Sequence, residues 1–424
     1  MSGFGEAGKR GPEVRSDCWI GVELTSQEGL EIDIQSKVAG MYGERIRAQV
    51  TEGCAALGLK GARITVEDQG ALPFTLAARL ETAVRRAGHL PADDYLLPAS
   101  DSCLRDSLRD RLRRSRLYLP GNEPKFYVNA GLHAPDGVIL DLEDSVAPAE
   151  KDAARALVRN ALRSVNFYGA ERMVRINQGE MGLEDLRWII PHNVHLVLIP
   201  KVESPEQVIA VDRRIAALEQ EHDLEGPVYL MPIIESALGA WRAYEIADAS
   251  PNVVALAIGL EDYTADIGVA RTLEGTESFW ARCQVINGAK AAGIQPIDTV
   301  FSDVEDMQGL FDSVVEAKSL GFAGKGCIHP RQIAVVHEAM APGEAEIEKA
   351  KQIVLAFEDA ETRGLGVVSL GSKMIDAPVV KRALTTVETA MKIGRLDGDW
   401  RETDSGGRPG AHKDGRTVEK GGQR

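Results

Sequence analysis

From Arg114 onward the chain repeats one pattern eight times: a short apolar run ending in polar or charged residues, followed in most cases by a stretch long enough for a helix. The runs are RLYLPG (116–121), DGVILDLED (136–144), RMVRIN (172–177), HLVLIPKVE (195–203), VYLMPIIE (228–235), VVALAIGLED (253–262), QPIDTVFS (295–302) and GKGCIHP (324–330). Runs without polar alternation suit strands covered on both faces, and intervening segments such as EKDAARALVRNALRSV let each strand run parallel to the last. Eight such units predict an α/β chain built on a (β/α)8 barrel. A doubly wound sheet is the competing architecture, but it would gather its polar residues at one switch point. Here they stand at the ends of almost every strand, as at a barrel mouth.

The rest of the chain divides around residues 113–340. Residues 1–87 read as a small α+β module: WIGVEL and EIDIQS as strands with turn chemistry in TSQEG between them, a helix in GERIRAQVTEGCAALGL, then ARITVED and a helix after it. Residues 88–112, with prolines and polar residues first and a charged amphipathic stretch last, read as a linker. Residues 341–395 read as a helical extension and residues 396–424, rich in Gly, Arg and Asp, as a disordered tail.

The net charge of −15, from 64 acids and 49 bases, opposes general binding of a phosphate backbone, so nucleic acid is an unexpected partner. The start, MSGFGEAGKRGPEVR, has no apolar core of a secretory signal, and no apolar run approaches the ~18 residues of a membrane span. No membrane association and a cytoplasmic location are expected. Cysteines at 18, 54, 103, 283 and 327 form no CxxC pair and signal neither a disulfide framework nor a zinc site.

In barrel register the strand ends bring together Glu143 and Asp144, Arg175, Lys201 and Glu203, Glu235, Glu261 and Asp262, Asp298 and His329. Glu235 ends one apolar run and Asp262 follows another, and two carboxylates from neighbouring strands make a hard oxygen site suited to Mg²⁺. Such an ion would act as a Lewis acid on an α-keto or α-hydroxy acid, with Arg175 able to fork its carboxylate. A salt bridge or rim charge is the competing account of each residue. His329 is a base or a packed turn histidine; Arg113, Arg114, Arg116 and Lys125 hold a phosphate or are merely solvated; Asp298 lines the mouth or caps a loop. Adjacent strand residues face opposite ways, so only one of Glu261 and Asp262 addresses an ion, and parity alone does not choose.

RRSRLYLPGNEPK, DGVILDLEDSVAPAEKDAAR, VRIN, LIPKVES, MPIIES, IGLEDYTADIG and GKGCIHPRQI, in this order, resemble the HpcH/HpaI aldolase and citrate lyase family, in its citrate lyase β-subunit branch, over residues 113–392. EIDIQSKVAGMYGERIRAQV and ARITVEDQGALPFTLAARLETAV resemble the citrate lyase γ chain, an acyl carrier. The resemblance implies a fused γ-β chain that cleaves a carrier-bound citryl thioester to acetyl thioester and oxaloacetate, with a separate α subunit for acyl transfer and a homo-oligomeric assembly. It makes Glu235 and Asp262 the Mg²⁺ ligands, leaving Glu261 to a neighbouring loop or subunit, and Arg175 the clamp on the keto acid. Arg114 and Lys125 fall where relatives contact the cofactor or thioester. Asp376 in GSKMIDAP matches an acid that reaches a neighbouring subunit's site. The base for the hydroxyl proton is not identified; Glu143 and Asp144 are the candidates.

In γ chains a serine carries a 2'-(5''-phosphoribosyl)-3'-dephospho-CoA group. Here EVRSDCWIGVEL offers Ser16, although aligning Asp17 with the family's acid puts Arg15 at the serine position unless one residue is gapped. Two other functions stay open: a free CoA-ester lyase for malyl-CoA or citramalyl-CoA, and a non-catalytic scaffold of a lyase complex.

Overall fold

The structure, a computed structural model, describes residues 3–363, 368–370 and 373–401. Its residues fall into two compact bodies divided between Met340 and Ala341.

The first body opens with a small sheet: β1 (Phe4–Gly8), β2 (Cys18–Leu24), β3 (Gly29–Ser36), helix α1 (Ala39–Ala56), β4 (Gly61–Asp68) and helix α2 (Pro73–Arg86). The strand order is β1-β2-β4-β3, so TSQEG does not close a hairpin. Instead β4 inserts between β2 and β3, parallel to β3. The reason is burial: Ala62, Ile64 and Val66 of β4 bury completely or nearly so, whereas β3 has no fully buried position and suits an edge. No apolar pattern marks β1, whose FGEAG is short and glycine-rich.

The barrel strands are β5 (Ser115–Pro120), β6 (Gly137–Asp141), β7 (Glu171–Arg175), β8 (Leu196–Ile199), β9 (Tyr229–Ile234), β10 (Ala255–Ile258), β11 (Gln295–Val300) and β12 (Gly324–Cys327). They close as an all-parallel ring in which β12 pairs with β5. Helices α3 (Lys151–Ser164), α4 (Gly179–Ile189), α5 (Pro205–Glu221), α6 (Ala237–Trp241), α7 (Ala243–Ala247), α8 (Leu260–Asp266), α9 (Phe279–Ala291), α10 (Met307–Leu320) and α11 (Arg331–Met340) connect them. Period-two geometry sends Ile139, Met173 and Met231 into the barrel and Leu117, Leu119, Val138 and Leu140 out against the helices.

One connection lacks its helix. Between β5 and β6 the chain makes only 3₁₀ turns, at Pro124–Phe126 and Ala130–His133. Here Phe74 of α2 stacks on Tyr127 with centroids 6.5 Å apart, and Phe74 and Ala78 join the barrel's outer apolar layer. Every residue of α2 from Phe74 to Val84 is buried, as befits a helix with its own sheet on one side and α3 on the other. The predicted linker is likewise seated on the barrel: Cys103 is buried, its carbonyl accepts from Arg172 at 2.6 Å, and Arg111 donates to the Asp136 and Gly169 carbonyls at 3.0 Å each. Arg109 and Arg111 are spent on barrel carbonyls, which a loose tether would leave to water.

Two histidines of this body set an acid limit. His192 and His195 are buried, and burial, reinforced by Arg159 and Arg163 at the first and Arg172 at the second, pushes each down to about 3. The folded chain keeps both neutral while the unfolded chain takes up protons below about 6.5, so stability falls as pH drops from about 6.5 toward about 3. The expected loss is about 1.4 kcal/mol per pH unit per histidine, measured as urea midpoints between pH 7 and 5. A flat profile for the wild type, matched by a His195→Asn variant, would contradict it.

The second body pairs α12 (Glu344–Thr362) with α13 (Ala377–Lys392) and carries the short antiparallel strands β13 (Val368–Leu370) and β14 (Lys373–Ile375). Val354, Val380, Ala383 and Val387 form its core, and Trp400, 2% exposed, closes it. The predicted tail therefore begins later than residue 396, because Trp400 buries a large apolar surface; residues 402–424 lie outside the described residues. Among the described residues no helix is long and apolar enough to cross a membrane.

Candidate functional site

A cavity of about 340 Å³ opens at the C-terminal ends of the barrel strands, within the size range of small-ligand sites. On one side β6 ends at Asp141 and β7 at Arg175. The Arg175 Nε and Nη2 donate to the two Asp141 oxygens at 2.7 and 2.8 Å, and Nη1 lies 2.8 Å from Glu143 Oε2. Burial raises the Asp141 carboxyl, but Arg175 outweighs it and holds the group below the usual carboxylate range. Two of the five guanidinium donors are thus hydrogen-bonded to Asp141, Nη1 is ion-paired with Glu143, and the Nε edge is not the open fork that the sequence suggests. The outer Nη1 and Nη2 donors remain for a ligand. Asp141 itself is not among the residues that the sequence pattern marks, because it lies inside VILDLED, ahead of the paired acids Glu143 and Asp144.

Glu235 follows β9 directly and is 6% exposed. Its Oε2 accepts the backbone N–H of Lys201 at 2.9 Å, and Lys201 takes a left-handed conformation, φ 49°, at that turn. Among the described residues no donor serves Oε1. Burial, with nearby Glu143 and Asp262 adding repulsion, pushes the Glu235 carboxyl up to about 7. The space beside it is tight: a Cβ at Gly259 would overlap Oε1. Gly259→Ala is therefore expected to displace this carboxylate and to cost about 1–3 kcal/mol, measured by chemical denaturation.

Asp262 does not lie on a strand. β10 ends at Ile258, and Glu261 and Asp262 occupy the first turn of α8, whose roughly 100° per residue turns them apart instead of strand alternation. Glu261 accepts from Arg271 at 2.7 Å and from Ser302 at 3.0 Å, partners on neighbouring loops. Asp262 is half-exposed, and Lys201 Nζ stands 3.9 Å from it and 3.3 Å from both Glu143 and Asp144. Glu235, Asp262 and Arg175 line the one cavity. Glu143 is buried, raised by that burial, and accepts from Gln178 at 3.0 Å; Asp144 is exposed.

The remaining candidates separate. Arg114 precedes β5, at the opposite end from the mouth, and its guanidinium is spent on Asp136 at 2.8 and 2.9 Å. It is not a mouth residue, because the strand begins only at Ser115. Arg113 is fully buried against Glu171 at 2.7 Å. Lys125 lies past the C-terminal end of β5, 3.3 Å from Glu123, which Lys9 also engages. Asp298 commits its carboxylate to Lys325 at 2.7 Å and Arg282 at 3.2 Å. His329 accepts the Arg331 N–H at the start of α11. Asp376 caps α13, accepting the Val379 N–H at 3.2 Å, in the second body. Ser16 is half-buried at φ 55°, and the adjoining Asp17 holds Arg79 at 2.9 and 3.0 Å; Arg79 in turn donates to the Asn122 carbonyl at 3.1 Å.

Glu235 and Asp262 fit Mg²⁺ by donor chemistry: hard oxygens, one without a donor, and mutual repulsion that a cation would relieve. No group of three or more His, Cys, Asp or Glu able to hold a metal occurs among the described residues.

A model of the HpcH/HpaI aldolase/citrate lyase family matches residues 114–330, and an ACP model described as malonate decarboxylase delta subunit (MdcD) matches residues 11–87. Citrate lyase subunit beta of Haemophilus influenzae is 41% identical over 283 residues, covering 66% of this chain and 97% of that protein. Mitochondrial citramalyl-CoA lyase of Homo sapiens is 33% identical over 293 residues, covering 66% and 86%. CitE of Mycobacterium tuberculosis, solved in complex with magnesium, acetoacetate and coenzyme A, is 30% identical with a TM-score of 0.55, covering 67% of this chain and 99% of that one.

Proposed function

The chain belongs to the HpcH/HpaI aldolase/citrate lyase family of carbon-carbon lyases, and we propose that it cleaves a carrier-bound citryl thioester to acetyl thioester and oxaloacetate. The observation that carries this reading is the buried Glu235, raised to about 7 beside Asp262 in the barrel mouth of a chain whose N-terminal module matches an acyl-carrier family. Glu235 and Asp262 would hold Mg²⁺, which supplies Lewis acidity toward the oxygen of the reacting carbinol. Arg175 keeps its remaining donors for the keto-acid carboxylate. As the carbon-carbon bond breaks, the hydroxyl proton leaves to a base, for which Glu143 and Asp144 are the candidates; the electron pair passes to the thioester α-carbon, which is then protonated. Asp376, donated by a neighbouring chain of a homo-oligomer, is the acid for that last step, and a separate α subunit reloads the carrier.

Ser16 is the attachment point in this reading. The contacts from Asp17 through Arg79 to Asn122 limit the distance between Ser16 and Pro120, at the cavity, to no more than about 23 Å, which is the gap that the prosthetic arm would bridge. Intact mass of natively produced chain tests it: an added prosthetic mass that Ser16→Ala abolishes is expected, and its absence where the attachment enzymes are present would end the carrier claim.

Free CoA-ester cleavage is the second reading, favoured by the relatives above that are named for a CoA ester or solved with coenzyme A. Turnover of malyl-CoA or citramalyl-CoA by Ser16→Ala protein, without an α subunit, would select it.

A further inference from the structure

Arg116 is a buried cation with no carboxylate of its own. It is 1% exposed, and β5 turns it inward on the same face as Tyr118, so both line the cavity that also holds Glu235 and Asp262. Its Nη1 meets only the Met231 sulfur, at 3.2 Å, and its Nη2 the Asp298 carbonyl, at 3.3 Å. Nε has no protein partner. The Asp298 carboxylate is occupied by Lys325 and Arg282, and Asp141 is occupied by Arg175. In contrast, Arg113 and Arg159 are just as buried and each has an acid at 2.6 to 2.7 Å. An unpaired buried guanidinium is costly, and it stays charged under all ordinary conditions. It therefore favours an anion entering from outside.

Its position says which anion. Arg116 stands four residues below Pro120 in β5, about 13 Å along the strand, and reaches up into the cavity from its floor. Arg175, Glu235 and Asp262 stand at the upper end, where the reacting carbon and its carboxylate belong in the proposed reaction. A carboxylate reaching Arg116 must hang from a further carbon of the same molecule.

We propose that Arg116 binds the second carboxylate of a two-carboxylate keto-acid product, and so selects a substrate with a carboxymethyl branch over one bearing hydrogen or methyl at that carbon. This rests on the reading of the cavity as a keto-acid site. It separates citryl from malyl and citramalyl thioesters, whose keto-acid products have one carboxylate each. Arg116 is here a specificity residue, and the three donors it leaves without a protein partner form a built receptor for a carboxylate.

The test titrates full-length chain with oxaloacetate and with pyruvate in MgCl₂, comparing wild type, Arg116→Met and Arg116→Lys. Arg116→Met is expected to weaken oxaloacetate at least tenfold and pyruvate less than twofold, with Arg116→Lys between. Because Met replaces an unpaired charge by an apolar chain, its Tm is expected to hold or rise; a fall would show that Arg116 is a structural residue and overturn the proposal. Equal weakening of both keto acids, or of neither, would also overturn it. If wild type binds neither keto acid but takes up malonate through Arg116, the anion site stands and the lyase reading falls; a wild type that binds no carboxylate defeats both.

Discussion

Glu235→Gln is expected to lower kcat by about a thousandfold, the equivalent of the several kcal/mol that a Lewis-acid cation supplies to developing negative charge. The substitution keeps the shape of the side chain and its acceptor oxygen for the Lys201 N–H, so the barrel should remain intact. It also removes a buried carboxylate that Glu143 and Asp262 repel. The variant without Mg²⁺ should therefore melt no lower than wild type without Mg²⁺, while the rise in Tm that Mg²⁺ gives the wild type by mass action is lost. Asp262→Asn should behave in the same way, and Glu261→Gln should leave both turnover and Mg²⁺ response nearly unchanged, since its carboxylate is spent on Arg271 and Ser302. Turnover and Mg²⁺-dependent thermal shifts on the three variants decide the matter. Full activity in Glu235→Gln, or equal losses at Glu261 and Asp262, would remove the metal from this pair.

All eight barrel strands are legible because each is a local signal: a run of apolar residues too continuous for a surface strand and too short for most helices, with a charged end. The same local signal locates Glu235 and brings Arg175 to the mouth. It fails where the fold depends on pairing across distance. Nothing within TSQEG reveals that β4 will separate β2 from β3. Nothing in RRSRLYLPG separates Arg114 from Arg116, although one strand boundary, at Ser115, sends the first to the barrel's closed end and the second to its interior. At VVALAIGLED the apolar pattern runs through a change from strand to helix at Gly259, and the parity argument about Glu261 and Asp262 inherits that error. Arg175 illustrates a different limit. Its residue type announces carboxylate recognition, but the sequence does not say that Asp141 claims it first.

The second large effect is expected far from the mouth, in Arg159→Ala. Arg159 of α3 places Nη2 2.6 Å from Glu81 of α2, both side chains 0% exposed, and Nη1 2.8 Å from Asp94. Glu81 also accepts from Arg85 and from the Tyr95 N–H, and Asn160 of α3 donates to the Phe74 carbonyl at 3.2 Å. Removing the arginine strips the buried Glu81 of its buried cation and leaves it Arg85 and the Tyr95 N–H, a change that costs about 3–5 kcal/mol. For a body of this size that corresponds to a fall in Tm of roughly 4–7 °C. A charge pair of this kind contributes little over an apolar pair of the same shape, so Glu81→Leu with Arg159→Met should recover most of the loss. Calorimetry on the single and double variants measures both. A fall of only a degree or two in Arg159→Ala would mean that water reaches the α2–α3 junction. The consequence reaches the proposed chemistry, because a carrier module joined to the barrel through a buried helix does not travel as a body. Arg79 and Asn122 fix Ser16 near the rim, and in the proposed reading the arm itself covers the distance to the cavity. Loosening α2 with Arg159→Ala should then lower turnover of the carrier-bound substrate below the melting transition while leaving turnover of a free thioester unchanged, whereas equal losses on both substrates would place the damage in the barrel.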